Sequence, residues 1–483
     1  MLSLYGFDSR TWKKWQAMAE QCRRLLTEQP ITPAGPGTIL KDVDSFLEFV
    51  GTEGIATKSR NNTLPIGRLM ELNQKSSYPI ELTLKRALLR DYPNLAGIFV
   101  LLRVMDLLQV KGPRLMVCPA ALQFWRGLNC TEQYFALLEA LLFEAHPSVL
   151  ANERRSEEMR GFELIPVFLA QLSERWRPFE HYESVSYFGP KGDLRPWSVF
   201  LLQQLGLIEI RPRPVSEKEC RGWGGGGWLL GGARLTPWGA AINWPLMELQ
   251  KAEEEELEEL ADEPEDSLPQ SGATQGLLLP LLGPTATERA NAAEDSDVED
   301  FESALDESSA DSGEEEAFGS LQPTFQPYRP EWRTVYARPM PEVRSGAHHF
   351  KVTLAGWQGQ GGGIWRRLLV PPHASLDTLA GAILRAFDFD SDHLYDFRYR
   401  DQRGRSRIYN HPYTDEGPYT PEITVAETEL PLKDEMLFTF DYGDNWRFKV
   451  RLEAVEDAPC KFKQPKVAES AGKAPDQYPN AES

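Results

Sequence analysis

Cysteine is scarce: the 483 residues hold five, Cys22, Cys118, Cys130, Cys220 and Cys460, and no two stand at a CxxC spacing. That speaks against a disulfide framework and against a cysteine-built zinc site, and it fits reduced thiols in a cytoplasmic compartment. No run of about 18 apolar residues exists, so no membrane span is expected. Residues 1–30 mix Arg10, Lys13, Lys14, Arg23 and Arg24 with aromatics and have no apolar core run, unlike a signal peptide. Basic charge is also short, with 52 Lys/Arg against 72 Asp/Glu and a net charge of −20. The deficit is local. Residues 251–320 carry 23 acidic and 2 basic side chains, which leaves the rest of the chain with 50 basic and 49 acidic residues. The folded parts are therefore expected to be nearly neutral, and nothing follows about an acidic surface on them.

The pattern along the chain divides it into five stretches. Residues 1–150 read as a helical region. Trp12, Trp15, Ala19, Cys22 and Leu26 recur at helical spacing after Asp8 or Ser9, and a second helix is expected over 42–50, capped near Asp42 or Asp44. The apolar run Asn94–Leu108 reads as a buried helix, and Arg114–Val117 as a short strand after it. That order is how a winged-helix recognition helix passes into its wing. Asn129 or Thr131 is expected to cap a helix reaching about Ala145.

Residues 160–246 repeat this grammar more clearly. Trp197–Ile210 reads as helix, glycine stop and strand, and Ala233–Ile242 returns as strand then helix through Leu235-Thr236-Pro237-Trp238-Gly239. A winged-helix-like domain is expected there. Residues 251–330 are expected to be a disordered acidic linker, because Pro, Ser, Gly, Asp and Glu dominate and too little apolar surface is present to offset ordering entropy. Its apolar island Leu277–Leu282 reads as a chance hydrophobic spot.

Residues 331–457 read as an α+β two-layer domain, followed by a 458–483 tail. His349–Leu354 and Ile364–Val370 are strands around the glycine run Gly359–Gly363, Ser375 caps a helix to about Phe387, and His393–Tyr399 is a further strand. Phe438–Val450 closes the domain as a hairpin with two carboxylates in its turn. The glycine run lacks a following Lys-Ser/Thr and opens no helix, so it is a loop and not a phosphate cradle.

Four pieces of this last region, at suitable spacing, resemble the plasmid pRiA4b ORF-3-like family. They are Lys351–Leu354 with Ile364–Arg367, then Ser375–Leu379, then Asp392–Phe397, then Phe440–Trp446; Gly472–Tyr478 looks like the family's continuation. The family's Pro-Pro-Glu-Asp-type ending is missing. The resemblance implies no established activity. Some relatives are labelled insertion-element passenger or TnpR-like, which implies a bacterial, mobile-element or regulatory setting without implying resolvase chemistry.

The candidate residues are few. His393, Asp441 and Asp444 form one constellation that suits a divalent metal or an acid–base pair. The competing structural reading has both aspartates accepting backbone hydrogens within their own turn. Arg366, Arg367, Arg398 and Arg405 are candidate nucleic-acid contacts. The first two follow Trp365 on a strand, Arg367 on the same face as Trp365 and Arg366 on the other, and the others lie in the densest arginine stretch, Arg398 to Arg407, which faces DNA, the acidic linker or plain solvent. The expectation is a non-enzymatic binding protein, DNA-associated, with no cofactor. The alternatives are a metal-binding or hydrolytic enzyme built on Asp441, Asp444 and His393, and an adaptor that binds another protein.

Overall fold

The computed structural model describes residues 9–57, 64–82, 84, 86–111, 114–150, 161–179, 194–214, 228–262, 318–339, 344–355, 363–414 and 417–477. The glycine run Gly224–Gly227, the island Leu277–Leu282, Cys220 and most of Gly359–Gly363 lie outside them. The molecule is a mixed α+β protein with two cores, one formed by the N-terminal half and one by the C-terminal sheet and its helix.

Both units of the N-terminal half run helix, short strand, buried helix, hairpin and helix, with additional helices in the first. In the first unit, α1 (Ser9–Glu28) and α2 (Ile39–Val50) precede the short strand β1 (Ile55–Ala56). Then come α3 (Ile66–Lys75), α4 (Pro93–Val104) and a hairpin of β2 (Leu108–Lys111) and β3 (Arg114–Val117). Two more helices, α5 (Pro119–Gly127) and α6 (Cys130–Glu139), complete it. In the second unit, α7 (Gly161–Ala170), β4 (Arg177–Pro178) and α8 (Pro196–Gln204) precede the hairpin of β5 (Ile208–Pro214) and β6 (Trp228–Leu235), and α9 (Pro237–Asp262) follows. Both small sheets place the short strand against the second hairpin strand, in the orders β1-β3-β2 and β4-β6-β5.

Local chemistry explains most of these boundaries. Asn129 caps α6 by accepting the Glu132 N–H at 3.0 Å, while the Glu132 carboxylate accepts the Asn129 N–H at 2.9 Å, a reciprocal capping box. The second helix begins before the expected Asp42. It starts at Ile39, and buried Asp42 sits in its first turn, accepting from the Thr38 hydroxyl at 2.7 Å and the Ser77 N–H at 2.8 Å. Its carboxylate thus ties the helix to a neighbouring loop instead of capping it.

Every residue of α4 is buried, as is α8 from Trp197 to Gln204. The two helices pack on each other through Gly97, where a Cβ would lie 2.5 Å from Leu201 Cγ and 2.8 Å from the Trp197 carbonyl oxygen. Only a residue without a side chain permits that approach.

The expected linker boundary at 330 is corrected. Residues 318–336 are a strap laid across the N-terminal half, including the one-turn helix α10 (Gln322–Phe325), with Phe318, Leu321, Phe325, Trp332 and Tyr336 buried in the first core. Burial of five large apolar side chains, each contributing about 1.5–3 kcal/mol, offsets a substantial part of the cost of ordering the segment, and hydrogen bonds to the first core add to it. The aromatics that make this possible stand at the far edge of an otherwise acidic, aromatic-poor stretch.

The C-terminal domain is a seven-stranded antiparallel sheet with a single helix on one face. Its strands are β7 (Gly346–Ala355), β8 (Trp365–Val370), β9 (Tyr395–Arg400), β10 (Ser406–Asn410), β11 (Glu435–Phe440), β12 (Trp446–Pro459) and β13 (Lys466–Ala471). They run in the order β10-β9-β11-β12-β7-β8-β13. The helix α11 (Leu376–Ala386) is capped by Ser375, whose hydroxyl accepts the Thr378 N–H at 3.1 Å. It lays Leu376, Leu379, Ile383 and Leu384 on the sheet core. The domain does not end at 457: β13, drawn from the expected tail, pairs with β8, and the Gln477 side chain accepts the Asp390 N–H.

Candidate functional site

One end of the C-terminal sheet carries His393, Asp441 and Asp444. There β9 begins, β10 ends and β11 turns into β12, with Tyr395 opposite Phe440 and Asn410 opposite Asp396. The turn between Phe440 and Trp446 is a true strand reversal, with that pair in register. Asp441 and Asn445 hold positive φ of 56° and 52°, a conformation that Asp and Asn tolerate best among residues with side chains.

Asp441 Oδ1 accepts the N–H groups of Gly443 at 3.0 Å and Asp444 at 3.3 Å. Its Oδ2 lies 3.5 Å from His393 Nε2, and the same ring nitrogen is 3.9 Å from Asp392 Oδ2. Asp444 is exposed and takes part through its N–H. The two aspartates are therefore joined by a backbone hydrogen bond within their turn and do not converge on a common centre. Among the described residues, no group of three or more His, Cys, Asp or Glu is arranged to hold a metal ion. His393 meets the edge of the Phe440 ring, with centroids 6.3 Å apart.

Beside this corner lie two features that sequence reasoning missed. Asp396 is buried beneath it, its carboxyl raised by that burial and partly held down by Arg398, whose Nε donates to it at 2.9 Å, and by the Tyr442 hydroxyl. Leu394, Tyr413 and Tyr442 are large side chains left exposed at the same sheet end, Tyr413 at 85%. The His411 ring lies 4.6 Å from that of Tyr395 and 5.1 Å from that of Tyr413. The alternation His393–Tyr399 carried the signal for Asp396, since Asp396 is the one carboxylate between two inward aromatic positions.

The candidate nucleic-acid arginines are placed differently from expectation. Arg366 is buried, donating to the carbonyls of Ala386 at 2.7 Å and Ala471 at 2.9 Å. Arg367 forms ion pairs with Glu453 and Glu469. Arg398 holds Asp396. Arg405 is half-buried between Asp401, at 2.9 Å, and Glu144 of the N-terminal half, at 3.3 Å. The Arg366 guanidinium and the Nε and Nη1 of Arg405 are thus engaged by the protein's own oxygens.

The arginine stretch instead lines the seam between the two halves. Asp401 Oδ1 accepts the N–H groups of Arg403 at 2.9 Å and Arg405 at 3.0 Å, and its Oδ2 accepts from Arg405 Nε and from Arg407 Nε at 3.2 Å. Burial alone would raise this carboxyl, but Arg405, Arg407 and Arg403 overcome it and hold Asp401 well below the usual carboxylate range. Arg403 Nε donates to Asp106 at 3.0 Å. Arg103 donates to the Gln402 carbonyl, Arg400 to that of Ser148, and the Ser406 N–H to the Ser148 hydroxyl at 3.2 Å. Glu144 also pairs with Arg338 at 2.6 Å. Between Arg400 and Ser406 this stretch thus meets carboxylates and carbonyls of the first core.

The C-terminal half is an α+β domain with Leu394, Tyr413 and Tyr442 exposed at one end of its sheet. Residues 347–477 match the family model described as plasmid pRiA4b ORF-3-like protein, so this C-terminal domain is a pRiA4b ORF-3-like domain. No curated protein matches the chain. Among solved structures, a protein of unknown function from Methanosarcina mazei Go1 is similar at 25% identity, over 26% of this chain and 70% of that one, with a TM-score of 0.23. No helix among the described residues is long and apolar enough to cross a membrane.

Proposed function

We propose that this chain is a non-enzymatic binding protein of the adaptor kind, whose partner is another protein. In this reading each N-terminal unit is winged-helix-like, with α4 and α8 as the helices that precede the wings. The observation that carries the choice of partner is the burial of these two helices against each other. A recognition helix reads bases only when it lies free to enter the major groove. Two such helices locked together serve as the spine of a scaffold. The exposed Leu394, Tyr413 and Tyr442 support a protein partner, since aromatic side chains are enriched where proteins meet. The metal or hydrolytic alternative is disfavoured by the turn chemistry of Asp441 and Asp444. The mobile-element setting suggested by the labels of relatives is compatible with such an adaptor.

The test is capture of the full-length protein on a tag, with proteins and nucleic acids in the eluate identified side by side. One protein at constant ratio, lost when Tyr413 and Tyr442 are both replaced by Ala, supports the reading. Nucleic acid retained with steep salt dependence and no protein partner overturns it. Stoichiometric metal that disappears in Asp441→Ala favours the enzyme alternative.

A further inference from the structure

The strap is held as a peptide ligand is held. One face of α6 supplies the grip. Glu132 Oε1 accepts the backbone N–H groups of Arg333 at 3.0 Å and Thr334 at 2.8 Å. About two turns further along the helix, Glu139 Oε1 accepts those of Gly319 and Leu321, both at 2.9 Å. Between them Phe135 stacks on Trp332, with centroids 4.4 Å apart, and meets Phe325 at 4.9 Å. Asn129 donates to the Glu331 carbonyl at 2.9 Å, Arg329 to the Gln29 carbonyl at 2.7 Å, and the Tyr336 hydroxyl to the Met105 carbonyl at 2.6 Å. Main-chain hydrogen bonds with side chains in apolar pockets are the general physics of linear-peptide recognition.

All of these contacts join residues before 262 to residues after 318, and so do the contacts of the arginine seam, from Arg103, Asp106, Glu144 and Ser148 to Arg400–Ser406. Residues 263–317 connect the two sets. A stretch of that length spans at most about 180–200 Å. Neither set of contacts depends on which copy of the chain supplies its other side.

We propose that the groove along α6 accepts the strap of a second copy, so that two chains exchange their halves after residue 317 and form a reciprocal dimer. Exchange keeps every strap and seam contact and creates no new surface, which makes it a low-cost route to association. The tether sets an effective concentration that favours the closed single chain when the protein is dilute, so the exchanged form grows with protein concentration.

The experiment uses two full-length versions that carry a protease site within residues 263–317. Each bears a different tag at its N-terminus and a different label at its C-terminus. They are mixed, concentrated, cut and captured by one N-terminal tag. The expected result is that the captured N-terminal half carries C-terminal halves of both labels, in a proportion that rises with protein concentration before the cut. A synthetic peptide of residues 318–338 in excess lowers the crossed fraction several-fold. Capture of own-label halves alone at every concentration overturns the proposal, as does separation of all C-terminal halves after the cut. Neither outcome touches the adaptor reading, which rests on other residues.

Discussion

Asp401 and Asp441 begin from the same local device and end in opposite roles. Each sits in a tight reversal and accepts two backbone N–H groups of its own turn on Oδ1. At Asp401 the second oxygen meets two guanidinium groups in a seam closed by the N-terminal half. At Asp441 it meets a half-exposed imidazole at the rim of the sheet. The Asx turn is a property of a few residues, whereas its energetic weight depends on what tertiary structure brings to the other lobe of the carboxylate. Buried ion pairs are expensive to break from one side, and exposed ones contribute little.

The comparison predicts a graded series. Asp401→Asn removes the carboxylate charge shared by the Arg405 and Arg407 guanidinium groups and should lower the unfolding free energy by about 3–5 kcal/mol in denaturant titration. Because the folded-state Asp401 carboxyl lies below its ordinary value, its contribution is present above about pH 4 and is lost as the pH falls below that. A loss no larger than that of the Asp441 variant below would break the distinction.

Glu139 tests the opposite sign. Burial raises its carboxyl to about 7 from 4.5, while the Gly319 and Leu321 N–H groups pull it down, so the folded state binds a proton that the unfolded chain has lost. The fold should therefore be most stable at the acid end and weaken as the pH rises from about 4.5 through 7, on the order of 2–3 kcal/mol in all. Glu139→Gln should flatten the dependence of thermal stability on pH across that window, and an unchanged slope would show that another group titrates.

Asp441→Ala removes the turn's acceptor at a positive φ and should cost about 1–2 kcal/mol. The smallest effect belongs to His393→Ala, within about 0.5 kcal/mol, with bound-metal content unaltered. A larger loss of stability, or a loss of metal, would restore the constellation as a site.

What could be read from the residues follows the same line. The strands of the C-terminal sheet, the Ser375 and Asn129 caps and the reversal at Asp441–Trp446 were legible because alternation, capping and turn chemistry are local. The doubled helix–hairpin order of the N-terminal half was legible for the same reason. The packing of α4 on α8 was not, since an apolar helix such as Asn94–Leu108 announces burial without naming what covers it. Nor was the seam, since Arg398 to Arg407 looks the same in sequence whether it meets phosphate, water or a buried carboxylate. The strap was hidden by averaging: the acidic composition of the preceding residues masked Phe318, Leu321, Phe325, Trp332 and Tyr336.

The strand Lys466–Ala471 occupies the outer margin of the sheet beside Trp365–Val370. A chain cut after Pro459 would leave the amides and carbonyls of Trp365–Val370 uncovered and open to pairing with any extended segment that drifts past. Lys466–Ala471 thus forms a selvedge over that margin, and its removal should appear first as insolubility and only later as a change in anything the protein binds.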